Sequence, residues 1–326
     1  MALFGLRFDF RNPAVAGTAM SERYAAALDM AEWADGLGAV AITLSEHHGS
    51  EDGYLPSALT MAAAVAARTR NARLTIAAIV APLHDPIRLA EEAAIVDLLS
   101  GGRLDLILVN GYVAGEFEMF GVPLGERVRR TVEAVEVLRK AWTGEPFEYR
   151  GRTVRVTPRP HQEGGPKIVL GGTSETAARR AARLGDGFMP SSAQFWEPYR
   201  DEMLKLGRPD PGPFFGGDTS VTCLARDAGA GWKAHAPFFL HEMNAYGRWM
   251  QDAGFGAEGG YEPTSDAEAL RRTGQYRVLT PDEMVGELRE KGPFGFAMLH
   301  PLVGGTPPDL AWESLRLFES EVLPRL

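Results

Sequence analysis

Short apolar segments alternate with longer amphipathic segments along most of the chain, a pattern typical of parallel strands joined by helices. In the segment 39–48, apolar side chains from Val40 to Leu44 occupy one face of a predicted strand, and small or polar side chains up to His47 occupy the other. This strand delivers an imidazole to its carboxyl end, where proteins built from βα repeats carry out their chemistry. The pattern therefore indicates an α/β enzyme.

The same pattern predicts eight strands and the helices that join them. The strands are predicted at 6–10, 39–48, 74–81, 104–110, 167–172, 187–192, 220–226 and 294–302, and the helices at 21–36, 59–70, 87–99, 126–142, 174–184 and 310–322. Elements in this order predict a closed (β/α)8 TIM barrel, an α/β fold, rather than a doubly wound sheet.

Two segments exceed what the barrel repeat requires, although no linker divides the chain and we expect one domain over 1–326. After the fourth strand, 144–166 is predicted to contain a hairpin that turns at Gly151. After the seventh strand, 229–276 includes a glycine-rich stretch at 254–260. Insertions of this length are usually mobile lids or disordered surface, and both interpretations stay open for 229–276.

Composition and charge exclude some classes of partner and location from the expected function. The chain has 326 residues, a hydrophobic fraction of 45% and a formal net charge of -9, so neither nucleic acid nor an anionic membrane is an expected partner. The single cysteine, Cys223, lies in an apolar run and is predicted to be a buried thiol. Because no apolar run is long enough for a spanning helix, we expect no membrane insertion and a cytoplasmic location.

The most specific motifs lie between Leu74 and Gly121. They read LTIAAIVAPL at 74–83, DPIRLAEE at 85–92, DLLSGGR at 97–103, NGY at 110–112 and EFEMFG at 116–121, and EHH precedes them at 46–48. Together they closely resemble the bacterial-luciferase-like flavin-dependent oxidoreductases and monooxygenases. The resemblance implies a TIM barrel that holds a reduced flavin or deazaflavin at the carboxyl ends of its strands.

His47 matches the active-site histidine of that family, whose implied role is proton transfer near the flavin ring. An unperturbed imidazole titrates near pH ~6.5, so it can both accept and donate a proton at neutral pH. The alternative is a structural histidine bonded to a backbone carbonyl at the strand end. His48 is expected to point the other way.

The resemblance also implies the residues that bind the cofactor. Ala77 and Ala78 match a position where the family carries a non-prolyl cis peptide bond against the flavin ring; an ordinary trans strand is the alternative. Asn110, at the end of a strand, would bond polar edges of the flavin, or would simply cap a turn.

A glycine-rich turn before the predicted helix at 174–184 matches the loop that cradles the cofactor phosphate in the family. Two glycines allow close backbone approach, and a helix N-terminus presents free N–H groups and the positive end of a dipole. A plain helix cap with a tight turn is the alternative. The residues of this turn are Gly171, Gly172, Thr173 and Ser174.

The cofactor expected from these motifs is reduced FMN, with a deazaflavin coenzyme as the alternative. Some deazaflavin enzymes carry a lysine shortly after the Asp-Gly turn, where this chain has Ser-Ser-Ala-Gln at 191–194. Luciferases proper carry arginine at the position of Asn110, so light emission from a long-chain aldehyde is not expected.

The reaction classes left open are oxygen-dependent monooxygenation of a small organic substrate and direct hydride transfer from a reduced deazaflavin. The chain lacks a recognisable nicotinamide fold, so a separate flavin reductase is an expected partner. We also expect a homodimer. A non-catalytic flavin-binding protein is the alternative from another class.

Second candidates for the site are Glu46, Tyr112 and His300. Arg7 and Asp9 alternate with apolar residues in the first strand and are predicted to form an ion pair inside the barrel.

Two other enzyme classes fit poorly. A metal-dependent hydrolase would need a His-x-His pair at the end of the first strand, which the chain lacks, so no metal site is predicted. The one Gly-x-Gly-x-x-Gly match, at 254–259, follows no predicted strand, which argues against a Rossmann dehydrogenase.

Overall fold

Nine strands form one sheet, and all of its strand pairs are parallel. The strands are β1 (Leu3–Phe8), β2 (Ala41–Leu44), β3 (Arg73–Val80), β4 (Leu104–Val109), β7 (Lys167–Gly172), β8 (Gly187–Pro190), β9 (Val221–Leu224), β10 (Tyr276–Leu279) and β11 (Phe296–Leu299); β5 (Phe147–Tyr149) and β6 (Arg152–Val154) form a separate antiparallel hairpin. The order in the large sheet is β10-β9-β11-β1-β2-β3-β4-β7-β8. This computed structural model describes residues 3–214, 216, 220–255, 260–292 and 295–326.

Helices follow the strands and cover the sheet. They are α1 (Met20–Gly36), α2 (Ala58–Arg68), α3 (Pro86–Ser100), α4 (Ala114–Met119), α5 (Arg127–Ala141), α6 (Glu175–Leu184), α7 (Trp196–Lys205), α8 (Ala228–Asp252), α9 (Ala267–Arg272), α10 (Pro281–Glu290) and α11 (Pro308–Leu317). In the described part of the chain, none of these helices combines the length and the apolar character needed to cross a membrane.

Local sequence explains where α3 begins and ends. The Asp85 carboxylate accepts hydrogen bonds from the backbone N–H groups of Ile87 and Arg88, and Pro86 occupies the first helical position. The helix ends at Gly101, whose φ of 66° lies in the left-handed region. These caps place the helix within one residue of its predicted bounds.

The main core lies between the sheet and the surrounding helices. Strand residues such as Leu6, Ile42 and Leu106 have no solvent exposure, and alanines on the helices pack against the strands. Small side chains let the helices approach the sheet closely, so the strand ends are held by dense packing. Cys223 is buried, as predicted.

The sheet has one strand more than predicted. Strand β10 begins at the last residue of the segment 229–276, which we expected to be an insertion, and it pairs with β9. Its four residues give only a brief period-two pattern, with Tyr276 and Val278 buried. Five described helices, α4, α7, α8, α9 and α10, were also absent from the prediction.

The segment 144–166 contains a hairpin. Strands β5 and β6 turn at Arg150 and Gly151, which both have positive φ, as a tight two-residue turn requires. The described part of 229–276 contains most of the 25-residue helix α8 and all of α9. Residues 256–259 of the glycine-rich stretch lie outside the described residues, and a lid motion stays a prediction.

Asp35 connects α1 to the start of β3. Its buried carboxylate accepts hydrogen bonds from the backbone N–H groups of Arg70, Asn71 and Ala72 at 2.8, 2.8 and 2.6 Å. Burial alone would raise the pKa of this carboxyl, but the three N–H donors outweigh burial and hold the pKa below its ordinary value.

We predict that Asp35→Ala lowers the free energy of unfolding by about 1–3 kcal/mol at neutral pH, because three backbone N–H donors lose their acceptor. Since the pKa is depressed in the folded protein, the contribution of Asp35 is present above the unfolded carboxyl pKa and disappears as the pH falls through the folded value. Urea unfolding at several pH values measures it. Asp29→Ala, at an exposed ion pair, is the matched control; equal losses in both variants would contradict the prediction.

Candidate active site

Four neighbouring strands bring most of the predicted site residues to one edge of the sheet. In the parallel register, Leu44 of β2 lies beside Ile76 of β3, and Leu108 of β4 lies beside Leu170 of β7. His47 follows β2, Asn110 follows β4, and Gly172 ends β7. Because parallel strands share one carboxyl edge, the three positions lie at that edge.

The Ala77–Ala78 peptide bond is cis, as the resemblance implied. Both alanines are half-buried within β3, and the register between β3 and β4 shifts next to them, between Ala77 and Ile79. Asn110 is also half-buried. Backbone and small side chains are thus accessible at the middle of the four-strand edge.

The side chain of His47 bonds to a carboxylate rather than to the backbone carbonyl of the structural alternative. Its Nδ1 lies 2.8 Å from Oε1 of Glu116, and the same oxygen accepts a bond from the His48 backbone N–H at 2.9 Å. Glu116 is 2% exposed. A carboxylate oxygen accepts hydrogen bonds, so a hydrogen on Nδ1 of His47 satisfies this contact and leaves the lone pair of the neutral imidazole on Nε2.

Aromatic rings surround the His47 imidazole. The Trp249 ring stacks on it with centroids 4.4 Å apart and planes at 29°, and Tyr54, Tyr246 and Tyr112 meet it edge-on at 4.9, 5.8 and 6.1 Å. Two of these rings belong to α8, from the segment that we expected to be an insertion. The rings shield the imidazole from water on several sides.

Glu46, His48 and His84 form a second cluster beside His47. Nε2 of each histidine lies 3.0 Å from Oε1 of Glu46, and the Val80 backbone N–H donates to the same oxygen. Burial would raise the pKa of Glu46, but the hydrogen bonds from the two histidines outweigh it and lower the pKa to about 2. For His84, burial lowers the pKa and Glu46 raises it, with a net rise.

The contacts of His48 agree with the expectation that adjacent histidines diverge, since His47 and His48 bond to different carboxylates. Ligand atoms of Glu46, His48 and His84 lie within 4.8 Å of one another, close enough to share a metal ion. Hydrogen bonds already account for this arrangement, and the absence of a metal stays a prediction.

The predicted phosphate loop joins β7 to α6. Ser174 caps the helix, with its Oγ accepting from the Ala177 backbone N–H at 3.2 Å, while Thr173 and Ser174 are exposed. A Cβ atom at Gly172 would lie 2.5 Å from Cβ of Ala177, so this glycine is also required for packing of the strand against the helix. The turn therefore caps the helix and packs tightly, as the alternative interpretation expects. It also leaves the N-terminus of α6 accessible to solvent.

The predicted ion pair between Arg7 and Asp9 is wrong. Arg7 donates from Nε to Oγ of Ser45 at 3.3 Å, whereas the Asp9 carboxylate accepts from the backbone N–H groups of Arg11 and Gly304. Arg7 and Asp9 are two residues apart and lie on the same face, but they bond to different groups. The turn at Gly304 packs against Asp9, and its backbone N–H donates to the Asp9 carboxylate. His300 is buried, and burial together with nearby Arg7 lowers its pKa to about 3, so it is neutral.

A sequence model described as luciferase-like monooxygenase matches residues 4–289. The chain belongs to the luciferase-like monooxygenase family. The resemblance read from the motifs is thereby confirmed, and members of this family are named as oxidoreductases and monooxygenases.

Two curated relatives illustrate the range of the family. The FMNH(2)-dependent dimethylsulfone monooxygenase of Pseudomonas putida is 33% identical over 138 residues, 40% of this chain and 38% of that protein. The F420-dependent glucose-6-phosphate dehydrogenase of Nocardia farcinica is 30% identical over 188 residues, 54% of this chain and 56% of that protein. The chain spans about half the length of the curated relatives it matches.

The luciferase-like fold extends over the whole chain. The crystal structure of monooxygenase RslO1 from Streptomyces bottropensis aligns with a TM-score of 0.72 and 26% identity, covering 98% of each chain. This likeness and the parallel sheet with its outer helices confirm the predicted α/β fold of the TIM-barrel type. The strand pairs of the described residues run from β10 to β8 without a pair between these two end strands, so closure of the barrel stays a prediction.

Sequence reasoning missed several residues of this luciferase-like site. Glu116 was quoted only as part of a motif, and Trp249, Tyr54 and Arg11 were not named as site residues. Glu116 lies in the short helix α4, and its buried carboxylate requires donors that only tertiary packing supplies.

We predict that the pKa of His84 lies above its ordinary value of 6.5 in the wild type and below it in Glu46→Gln, because burial then outweighs the weaker effect of the remaining Glu92 carboxylate. In the wild type, this raised pKa adds stability below the unfolded pKa, and that stability is lost as the pH rises through the folded value. Imidazole NMR titration measures both variants. Exposed His161 serves as the internal control, and an unchanged His84 pKa in the variant would refute the role of Glu46.

Proposed function

We propose that the protein is a flavin-dependent monooxygenase that uses reduced FMN and O2 on a small organic substrate. The observation that carries the proposal is the His47 imidazole, fixed through Nδ1 by buried Glu116 at the carboxyl edge of four adjacent strands. Ala77, Ala78 and Asn110 lie along the same edge, and the turn between β7 and α6 lies at the end of this edge.

The residues at this edge suit a flavin. Half-buried Ala77 and Ala78 offer backbone and methyl groups to a planar ring, and the Asn110 amide can bond to its polar edge. The exposed hydroxyls of Thr173 and Ser174, with the N-terminus of α6, suit a phosphate. With a net charge of -9, the protein needs such a local site to hold an anion.

When bound, the reduced flavin supplies the electrons for oxygen chemistry. The chain's own contribution is orientation, water exclusion and proton transfer. Glu116 keeps the hydrogen of His47 on Nδ1, so Nε2 can take up or deliver a proton on the ligand side. Trp249, Tyr54 and Tyr246 keep water away from the imidazole.

A deazaflavin-dependent hydride transfer is the second candidate, favoured by the likeness to an F420-dependent dehydrogenase. FMN is preferred because of the likeness to an FMNH(2)-dependent monooxygenase and because 191–194 reads Ser-Ser-Ala-Gln. A non-catalytic flavin-binding protein would have no need for the buried His47–Glu116 pair. Titration with FMN and the deazaflavin coenzyme, each oxidised and reduced, tests the choice; selective binding of the deazaflavin would overturn it.

A separate flavin reductase is the partner that fits this proposal, since the chain has no recognisable nicotinamide-binding motif after a strand. We further propose a cytoplasmic homodimer. Sedimentation of the purified protein tests the dimer, and a stable monomer at working concentration would refute it.

We predict that His47→Ala keeps the fold but lowers turnover about 10²–10⁴-fold, because the ligand loses its proton-transfer group. Product yield from a panel of ketones, sulfides and aldehydes, with reduced FMN supplied by an added reductase, measures the loss. Glu116→Gln should lower turnover less and shift its pH profile, because the tautomer is held less firmly. His161→Ala, at an exposed position, is the control; equal turnover in His47→Ala and wild type would remove His47 from the mechanism.

We predict that Ser174→Asp weakens FMN binding at least about tenfold, because a carboxylate repels the phosphate at the N-terminus of α6. Riboflavin, which lacks the phosphate, should bind both forms alike. Fluorescence titration measures both ligands, and Ser320→Asp is the control at an exposed serine of the C-terminal helix. If FMN binds Ser174→Asp and wild type equally, its phosphate lies elsewhere.

A further inference from the structure

Arg11 is a fully buried cation at the carboxyl end of β1. Its side chain is 0% exposed, and Nη1 donates to Oδ2 of Asp52 at 2.5 Å. The Asp52 carboxylate also lies 2.7 Å from Nε2 of His241 and accepts from Oγ of Ser50. These bonds fix one end of the guanidinium.

The other edge of the Arg11 guanidinium is open. Among the described residues, neither Nε nor Nη2 has a hydrogen-bond partner. The closest carboxylate oxygen on this side is Oδ2 of Asp9, 3.9 Å from Nε, which is too far for a hydrogen bond. Nε and Nη2 form the two-pronged edge that a carboxylate accepts with both oxygens. Buried donors without acceptors are rare in proteins and often mark functional positions.

Aromatic rings place this open edge next to the proposed active site. The Arg11 Cζ atom lies 4.7 to 4.8 Å from the ring centroids of Tyr54, Tyr246 and Trp249. The same three rings contact His47, and Trp249 stacks on it. A ligand held by Arg11 would therefore lie next to the rings that contact the His47 imidazole.

A cavity of about 500 Å³ adjoins the guanidinium. Arg11, Asp52, His241, Arg248 and Trp249 are among its lining residues. The Arg11 side chain has no solvent exposure, and the half-buried Trp249 ring both contacts the guanidinium and lines the cavity. A ligand from the cavity would therefore reach Arg11 by displacing this ring.

The charges around Arg11 do not exclude an anion. They are the guanidiniums of Arg7, Arg11 and Arg23 and the carboxyls of Asp9, Asp52 and Glu242. Burial, and then the neighbouring Asp9, raise the pKa of Glu242 to about 7. Below that pH the set carries a net positive charge, so a further carboxylate meets no net repulsion.

We propose that Arg11 is a substrate-binding residue whose open Nε–Nη2 edge holds a carboxylate of the substrate, so that the enzyme acts on aromatic or other planar organic acids. The inference rests on the proposed function for its reaction, but the binding of the acid is independent of turnover. The rings of Tyr54, Tyr246 and Trp249 supply the contact for the planar part of such a molecule.

Benzoate and benzamide test the proposal, because they share shape and differ in charge. We expect benzoate to bind the FMN-loaded wild type at least about tenfold more tightly than benzamide and to shift the Arg11 Nε–H resonance in protein labelled with ¹⁵N-arginine. Arg11→Lys keeps the positive charge but lacks the paired Nε and Nη2 donors, so it should lose the preference for benzoate over benzamide. FMN affinity is measured in parallel, so that a failure of the cofactor proposal is recognised separately.

Arg248→Lys is the matched control, since Arg248 is exposed and lines the same cavity. It should keep the preference for benzoate. Equal affinities of benzoate and benzamide in the wild type would overturn the proposal even if Arg11→Lys does not fold. A preference that survives Arg11→Lys, or disappears in Arg248→Lys, would also overturn it.

Discussion

The hydrogen bond between His47 and Glu116 is the constraint on which the site depends. One carboxylate oxygen holds both the His47 imidazole and the His48 backbone N–H, and so it ties the end of β2 to the helix that follows β4. Without this buried acceptor, the His47 imidazole would lose the hydrogen bond that orients its Nδ1, whereas His48 would keep its bond to Glu46. The proposed proton transfer and cofactor contact both depend on the position that this bond sets.

Two buried carboxylates organise neighbouring histidines in different ways. Glu116 lies on the Nδ1 side of His47, whereas Glu46 bonds to Nε2 of both His48 and His84. In the proposed function, the first arrangement leaves Nε2 of His47 available for proton transfer, while the second uses the Nε2 atoms of His48 and His84 in hydrogen bonds that support the structure. The different carboxylate partners are therefore consistent with one reactive and two supporting histidines.

Much of the fold could be predicted from the sequence because period-two and helical patterns are strong in the first half of the chain. Strands β2 to β4 and helix α3 have clear apolar faces and caps. The second half was harder, because β10 is short and α8 contains glycines and Pro237 that resemble a loop. Candidate residues that directly follow a strand, such as His47 and Asn110, could be named from the sequence. Glu116, Arg11 and Trp249 were missed because only tertiary packing brings them close to His47.

Two different sets of elements form the proposed cofactor site and the surroundings of Arg11. The elements proposed to seat the cofactor come from β2, β3, β4 and β7, while the wall around Arg11 comes from β1, the loop after β2 and α8. Substitutions on α8 would therefore change the wall around Arg11 and, through Tyr246 and Trp249, the surroundings of His47, without altering the strands of the proposed cofactor seat.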